Sequence, residues 1–381
     1  MNFRLPRLDI NVTRRLRQTA IAGIGFTLAL VLAACSGSSD SSTTSSAPAS
    51  SQSSSASADS ATVAVDVGTS TPVQLPKGKL KVGIFMNALA NAWTKQISDN
   101  AQKQAQSYGW DVTVLDAGFN PTTQLNQMQD AATKKTYDAW VVVPIDGSAE
   151  CKMMSETAPA ANIVVITVGT VICGRDGKSG QENWQPGTYA FAGVGETIDY
   201  QRAWYAALAK QYTGDTTFAV AVGPDGNGFA EVSKQAAQEF ATANPNFKFI
   251  GYIRNDYTAP TTFTAAQAFL QAHKDIGLVL STYSPDMSQG VVKALESLQL
   301  AGKTQMSDIG GAQFDVEQIK KGTIQLTMPY YPATQGMQSV EAIMDAQNAA
   351  TPKRIYDENP GGVAAAPVIT KANIDSYTPQ F

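Results

Sequence analysis

From residue 79 onward the chain alternates short apolar runs with longer amphipathic stretches, and this alternation limits the possible folds more than any other feature. Several of the short runs are apolar almost throughout, for example LKVGIFM, YDAWVVVP and NIVVITVG. Such runs are typical of parallel strands that are buried on both faces of a sheet. Between them, stretches such as 93–108 and 122–135 repeat apolar residues every three or four positions, as amphipathic helices do. The pattern predicts an α/β protein whose parallel sheets are covered by helices.

A polar loop at 173–188 interrupts the alternation once and divides it into two series. The second series begins with the strand-like runs YAFAGVG, TFAVAVG, FKFIGYI and IGLVLSTY, each followed by a helical stretch. Each series spans roughly 110 to 130 residues, an ordinary length for one α/β domain. We therefore expect two similar lobes with doubly wound parallel sheets. In such sheets ligands bind beyond the carboxyl ends of the strands.

Residues 1–34 have the three zones of an export signal. Five arginines precede an uncharged apolar run from Ala20 to Ala34, and small residues lead to Cys35. The run is shorter than the ~18 residues that cross a bilayer, so the segment is predicted to be a signal peptide that is removed. The stretch LAAC at 32–35 resembles the lipobox of bacterial lipoproteins, which implies that Cys35 is lipidated. A simple secretory signal with an incidental cysteine is the alternative.

Residues 35–76 are predicted to form a disordered tether behind that anchor. Ser, Ala and Thr dominate them, so they contain too little apolar surface to offset the entropy of ordering. About 40 residues of this kind reach roughly 35 Å as a flexible chain. The protein is therefore expected to be exported and lipid-anchored to the outer face of the cell membrane, on the periplasmic side or the cell surface.

The charge of the chain argues against a nucleic-acid partner. The whole sequence has a formal net charge of −4, and the leader carries five arginines against one aspartate, which leaves −8 on the remainder. Nucleic-acid binders instead concentrate Lys and Arg in a patch or stripe, and this chain has no basic cluster.

The two remaining cysteines, Cys151 and Cys173, are expected to form a disulfide. An even pair in an exported protein is most simply bridged, and each cysteine follows one of two successive predicted strands. On the chain-entropy account, a loop of this length contributes about 3 kcal/mol of stability. Two free buried thiols are the alternative.

Beyond the tether, the chain resembles type I periplasmic solute-binding proteins of the ribose-binding kind over residues 79–374. The resemblance is carried by the long stretch DNAQKQAQSYGWDVTVLDAGFNPTTQLNQMQDAATKKTYDAWVVVPIDGSAE and by STYSPDMSQGVVKALESLQLAGK, IKKGTIQLTMPYYPATQG and PVITKANI. It implies two lobes joined by a hinge of three chain crossings. The expected division is 77–190 with 331–351 for the first lobe and 191–330 with 352–381 for the second.

The resemblance also implies a role. Members of the family close on one small ligand, mostly a sugar or polyol, and deliver it to the permease of an importer that ATP hydrolysis powers in separate subunits. We accordingly expect a monomer that acts without a cofactor or metal.

Family members bind sugars with aromatic rings against apolar sugar faces and with polar groups that pair with hydroxyls. Matching positions in this chain give the expected ligand-binding residues: Asn87, Asn91, Trp93, Asp146, Thr170, Tyr257, Tyr283, Ser284, Asp286, Gln313 and Tyr330. Core packing is the alternative for Trp93 and Tyr257, and a helix N-cap is the alternative for Asp146.

The chain departs from the ribose-binding pattern at several of these positions. Gly169 and Thr170 stand where ribose binders have an Asp-Arg pair, unless a residue of the loop at 181–184 substitutes for it. Ser284 replaces an asparagine, and Tyr330 replaces a glutamine at the hinge. Fewer charged anchors and more rings favour a ligand other than ribose, such as a deoxygenated or larger sugar, a glycoside, or an aromatic or nucleoside-like solute.

An enzyme is not expected. The sequence contains one histidine, His273, lacks a G-x-S-x-G motif and shows no metal-ligand spacing. A secreted carbohydrate-active hydrolase would need two carboxylates across a cleft, and Asp146 with Asp286 is the pair that could supply them. A sensor that presents its ligand to a membrane receptor would share the binding-protein fold and stays open as an alternative. The regulator form of the fold is excluded, because a leader and a serine tether occupy the place of its DNA-binding helices.

The lipobox can be tested directly. We expect Cys35→Ser to release the protein from membranes, because the acylated side chain would be the anchor. Fractionation of cells into membrane and soluble parts measures the change, with Cys151→Ser as a control that keeps the anchor. Continued sedimentation of the Cys35 variant with membranes would contradict the assignment.

Overall fold

The computed structural model describes residues 61–359 and 361–381. The predicted signal peptide, Cys35 and the first part of the predicted tether lie outside the described residues. Within the described ranges, none of the helices is both long and apolar enough to cross a bilayer.

Strands and helices alternate along the described chain. The strands are β1 (Thr62–Val65), β2 (Val73–Pro76), β3 (Lys81–Met86), β4 (Asp111–Asp116), β5 (Ala139–Val142), β6 (Val164–Val168), β7 (Ala190–Ala192), β8 (Thr216–Val222), β9 (Phe247–Arg254), β10 (Leu278–Ser281), β11 (Gln305–Gly310), β12 (Ile324–Pro329), β13 (Ile355–Tyr356) and β14 (Ile369–Thr370). The α-helices are α1 (Ala92–Ser107), α2 (Pro121–Lys134), α3 (Ala158–Ala160), α4 (Ile198–Gln211), α5 (Gly228–Ala243), α6 (Ala259–Ala272), α7 (Asp286–Ser297), α8 (Gln313–Lys321) and α9 (Pro332–Gln347). A π-helical turn, Met153–Thr157, precedes α3, and short 3-10 turns lie at Gly180–Asn183, Val194–Glu196, Val363–Ala365 and Ile374–Ser376.

Two six-stranded sheets form the cores of two α/β lobes, as the alternation predicts. The first has the spatial order β13-β7-β6-β5-β3-β4 and the second β14-β12-β11-β10-β8-β9. Neighbouring strands are parallel, except for β14, which pairs antiparallel with β12. The central strands β5 and β6 are buried along their whole length, which explains their continuous apolar sequences.

The chain crosses between the lobes three times. The crossings follow β7 at 193–197, separate β12 from α9 at 330–331, and follow β13 at 357–368. The predicted lobe boundaries after 190 and 351 therefore fall slightly too early. Strand β7 pairs with β6, and β13 pairs with β7, so both strands belong to the first sheet.

The predicted tether extends too far into the folded part of the protein. Strands β1 and β2 form an antiparallel hairpin, with Thr62 opposite Pro76, and the hairpin contacts α9. Four of its side chains are buried, namely Val65, Val67, Val73 and Leu75. Alternating apolar residues on one face of a hairpin suffice to attach it to a core, and the serine-rich average of the region conceals them.

The predicted disulfide between Cys151 and Cys173 is present. Strands β5 and β6 are parallel neighbours, so the two loops that follow them lie at the same edge of the first sheet. The Cα atoms of the two cysteines are 4.9 Å apart. The backbone N–H of Cys173 also donates to the carbonyl oxygen of Gly147 at 3.0 Å. The disulfide therefore joins two loops that a backbone hydrogen bond also holds together.

The hairpin makes a testable contribution to stability. We expect Leu75→Ala to lower the free energy of unfolding by about 2–5 kcal/mol, since it removes a fully buried leucine. Urea denaturation of the variant and the parent measures this loss. Thr71→Ala, at an exposed position of the same hairpin, is the matched control. Equal stability of the two variants would mean that the hairpin does not pack on the lobe.

Candidate functional site

A cavity of about 440 Å³ lies between the two lobes. Its walls are the loops after β3, β4 and β6 on one side and those after β8, β9 and β10 on the other, with the first crossing between them. All six strands contribute their carboxyl ends, where a doubly wound sheet binds ligands. The lining residues are Asn87, Ala88, Leu89, Ala90, Asn91, Trp93, Thr94, Asp116, Gly118, Phe119, Thr170, Glu196, Asn227, Phe229, Asp256, Tyr257, Thr258, Ala259, Pro260, Tyr283 and Asp286.

Most of the residues expected from the sequence lie in this cavity. Those that line it are Asn87, Asn91, Trp93, Thr170, Tyr257, Tyr283 and Asp286. They come from both lobes, so a ligand in the cavity touches both.

Three of the expected residues have other roles. Asp146 accepts hydrogen bonds from the backbone N–H groups of Ser148 and Ala149, at 3.1 and 2.9 Å, so it stabilises its own turn. Ser284 is fully buried and donates to the carboxylate of Asp315 inside the second lobe. Gln313 is exposed at the start of α8. None of the three lines the cavity.

Tyr330 lies behind the cavity wall rather than in it. It is fully buried in the second crossing, stacked on Tyr200 at 6.0 Å between ring centroids. Its ring centroid is 6.3 Å from that of Trp93. Tyr330 therefore supports a wall residue from the hinge and does not itself face the cavity.

Aromatic rings make up much of the second-lobe wall. The ring of Tyr257 lies 6.3 Å from that of Phe229 and 5.7 Å from that of Tyr283, and it meets Phe119 of the first lobe at 6.0 Å. A Cβ on Gly223 would stand 2.0 Å from the Tyr257 ring, so glycine is required there. Tyr257 also has a positive φ of 65°, an uncommon conformation for a bulky residue. The ring is thus held in place by the packing around it.

Hydrogen bonds cross the cleft, so this is the closed form of the two lobes. Tyr283 Oη donates to Asn91 Oδ1 at 3.0 Å, and Asn227 Nδ2 donates to the carbonyl oxygen of Ile145 at 3.3 Å. The same Asn91 Oδ1 accepts from the backbone N–H of Thr94 and caps α1. The closing contact thus uses a side chain that is already ordered by its helix.

Glu196 is one of the lining residues that the sequence interpretation missed, together with Asp116, Phe119, Asn227, Phe229 and Asp256. It lies in the first crossing and is 8 % exposed. A Cβ on Gly169 would stand 2.4 Å from Glu196 Oε2 and 3.2 Å from Trp93 Cη2. The glycine that replaces the family aspartate therefore leaves room for a carboxylate from another element. The loop at 181–184, considered as a substitute, does not line the cavity.

Burial dominates the electrostatics of the cavity. Loss of solvent, reinforced by the nearby charge of Glu358, raises the pKa of Glu196 to about 8. Burial also raises the pKa of Asp286, although backbone N–H groups of Asp286 and Ala92 oppose that rise. Asp286 Oδ2 and Trp93 Nε1 are buried without a hydrogen-bond partner in the described part of the chain. These two atoms are therefore buried within the cavity wall rather than exposed to the cavity space.

The carboxylate pair that a hydrolase would need from Asp146 and Asp286 is not assembled around the cavity, because Asp146 is absent from its wall. Within residues 61–359 and 361–381, no group of three or more His, Cys, Asp and Glu side chains is arranged to hold a metal ion.

Two α/β lobes that close on a cavity at a three-crossing hinge define the class of two-lobed solute-binding proteins. A family model described as periplasmic binding protein domain matches residues 82–351, and the chain belongs to that family. This agrees with the resemblance found in the sequence.

Individual relatives agree with this assignment. The ribose import binding protein RbsB of Escherichia coli (strain K12) is 25% identical over 262 residues, which cover 68% of this chain and 82% of the relative. The fold matches that of an ABC transporter solute binding protein from Bacillus halodurans C-125 with bound myo-inositol, at a TM-score of 0.69 and 17% identity, covering 80% of this chain and 99% of that one. A periplasmic solute binding protein from Actinobacillus succinogenes 130z with bound D-allose gives a TM-score of 0.66 at 20% identity, covering 78% and 100%.

The raised carboxyl pKa values predict that stability falls as pH rises. Burial raises the pKa of Glu150, which is 1 % exposed and lies outside the cavity, from 4.5 to about 8. Between these pH values the folded chain keeps a proton on Glu150 that the unfolded chain has lost. The stability that the protonated Glu150 contributes is therefore complete below pH 4.5 and is lost as the pH rises towards 8.

Ionisation of Glu150 should lower the free energy of unfolding by about 1.4 kcal/mol per pH unit in this range, and we expect Glu150→Gln to abolish that part of the decline. Urea denaturation at several pH values between 5 and 8 measures the slope. Glu156→Gln, an exposed position in the neighbouring turn, is the control. An unchanged slope in the Glu150 variant would contradict the assignment.

Proposed function

We propose that the protein captures a small hydroxylated solute, a sugar or polyol, between its lobes and delivers it to the permease of an ABC importer. The observation that carries this proposal is the closed interlobe cavity, whose wall combines rings with polar side chains. Rings pack against the C–H faces of a sugar, and its hydroxyls can pair with the side chains of Asn87 and Glu196, which line the cavity. The sugar and cyclitol ligands named for the similar proteins support the same class of ligand.

Capture would work by hinge closure. A ligand that contacts Asn87 and Trp93 in the first lobe and Tyr257 in the second makes its full set of contacts only when the lobes are closed. It therefore favours the closed state by its differential affinity for that state. A permease that recognises the closed form would then distinguish loaded from empty protein.

Membership of a periplasmic family supports an extracytoplasmic location. Anchoring through Cys35, action as a monomer and removal of residues 1–34 remain parts of the proposal that follow from the sequence.

A nucleoside or aromatic solute is the second candidate ligand. It is favoured by the grouping of Phe119, Phe229, Tyr257 and Tyr283 around one end of the cavity. A planar base would stack on such rings at least as well as a sugar face does.

A thermal-shift screen tests the function. Sugars, polyols, nucleosides and aromatic acids are added to the full chain, and a ligand at 100 times its dissociation constant should stabilise the fold by about 2.7 kcal/mol. Stabilisation by a sugar or polyol is the expected result. Stabilisation by nucleosides or aromatic acids alone would keep the transport role and discard the sugar.

The site is tested with the ligand from that screen. Trp93→Ala and Tyr257→Ala should each weaken binding by about 1–3 kcal/mol, because each removes an aromatic anchor. Phe314→Ala, a half-buried ring on α8 outside the cavity, is the control. Titration calorimetry measures affinity, and circular dichroism verifies that each variant is folded. Unchanged affinity in both cavity variants would mean that the ligand binds elsewhere.

A further inference from the structure

The cavity contains buried carboxylates but no cation to balance them. No described residue donates a hydrogen bond to the carboxylate of Glu196, which is 8 % exposed. Asp286 Oδ2 likewise has no partner in the described part of the chain. Of the described residues that line the cavity, none is Lys, Arg or His. Four acidic residues, Asp116, Glu196, Asp256 and Asp286, therefore line the cavity with no positive side chain among the lining residues.

Positive charges near the cavity are occupied elsewhere. Lys234 is paired with Asp225 and with Glu231, whose Oε1 is 2.8 Å from Lys234 Nζ. Arg254 Nε is 3.1 Å from Asp225 Oδ1. None of the members of these pairs lines the cavity. A compensating charge for Glu196 is therefore expected from the ligand.

The surroundings of Glu196 suit a positive group. The space beside Gly169 brings Glu196 Oε2 close to the edge of the Trp93 ring. Tyr257 and Tyr283 line the same cavity, and the two rings meet at 5.7 Å between centroids. A carboxylate next to aromatic rings is a favourable environment for an ammonium group, which the ring quadrupole and the charge attract together.

We propose that the ligand carries a protonated amine, as an amino sugar or amino polyol does, and that this amine pairs with the carboxylate of Glu196. The proposal rests on the proposed function, since it assigns the chemical class of the solute bound at that site. The hydroxyls of the same ligand would pair with the cleft asparagines.

Buried charge explains why such a ligand would be preferred. A neutral sugar leaves an ionised Glu196 without a counter-charge at a buried position, or requires its carboxyl to stay protonated. An ammonium group favours the ionised carboxylate and forms a charge-assisted hydrogen bond with it. An anionic solute would face four acidic lining residues with no counter-charge and should be rejected.

Matched pairs of solutes provide the test. D-glucosamine, D-galactosamine and 1-amino-1-deoxy-D-sorbitol are each compared with the parent D-glucose, D-galactose and D-sorbitol, with N-acetylated hexosamines as neutral analogues and D-gluconate as the anion. The full chain is titrated at about pH 6.5, where amines hold their proton. The measured quantity is the ratio of dissociation constants within each pair.

At least one amine should bind more tightly than its neutral partner by about tenfold or more, in the range of close buried charge pairs. Glu196→Gln should reduce that ratio to near unity, and gluconate should not bind. Glu296→Gln, an exposed glutamate on α7, is the control and should keep the ratio of the parent protein. Because both members of a pair close the same hinge, an effect of Glu196→Gln on closure alone cancels in the ratio.

Each of the other possible outcomes of the titrations shows which part of the proposal is wrong. Neutral sugars that bind as well as their amines would overturn the proposal and leave the proposed function intact. A preference for amines that Glu196→Gln does not change would overturn the role of Glu196. If no amine binds, the cationic ligand is wrong, and the proposed function then depends on the neutral sugars and polyols alone.

Discussion

The buried carboxylate of Glu358 links the three chain crossings at the hinge. From the third crossing, Oε2 accepts from the N–H of Val194 at 2.7 Å, and Oε1 accepts from the N–H of Gly195 at 2.9 Å. Oε1 also accepts from Nε2 of Gln335 at 2.7 Å, in the first turn after the second crossing. Three hydrogen bonds compensate much of the desolvation of the group. Every interlobe distance depends on this junction.

The position of the cavity carboxylate follows from the same junction. Glu196 is the residue after Gly195, so the bonds that fix Val194 and Gly195 also fix the point from which its side chain enters the cleft. A Cβ on Gly195 would stand 2.8 Å from the Tyr330 ring and 3.0 Å from Glu358 Oε1, so the crossing has no room for a side chain there. The hinge and one wall of the site are thus a single structural unit.

Features that depend on local sequence pattern could be predicted from the sequence, whereas features that depend on contacts between distant segments could not. Periodicity placed the strands and helices, and strand adjacency paired Cys151 with Cys173. The resemblance to the family identified Asn91 and Tyr257, and both line the cavity in loops that follow strands. Glu196 could not be found in this way, since a crossing brings it to the site. The sequence feature that points to Glu196 is Gly169, because a glycine stands there at the position where ribose binders have a charged residue.

The buried carboxylate of Glu196 explains how closure can depend on a ligand. Direct bonds between lobes, such as that of Tyr283 with Asn91, stabilise closure whether or not the cavity is filled. Glu196 lines the cavity, and a buried carboxylate that loses hydration without gaining a partner costs free energy. A ligand that donates to Glu196 would offset this cost and add its own contacts. A carboxylate that destabilises the empty closed form therefore increases the difference between the loaded and empty states, and that difference determines how far a ligand shifts the equilibrium.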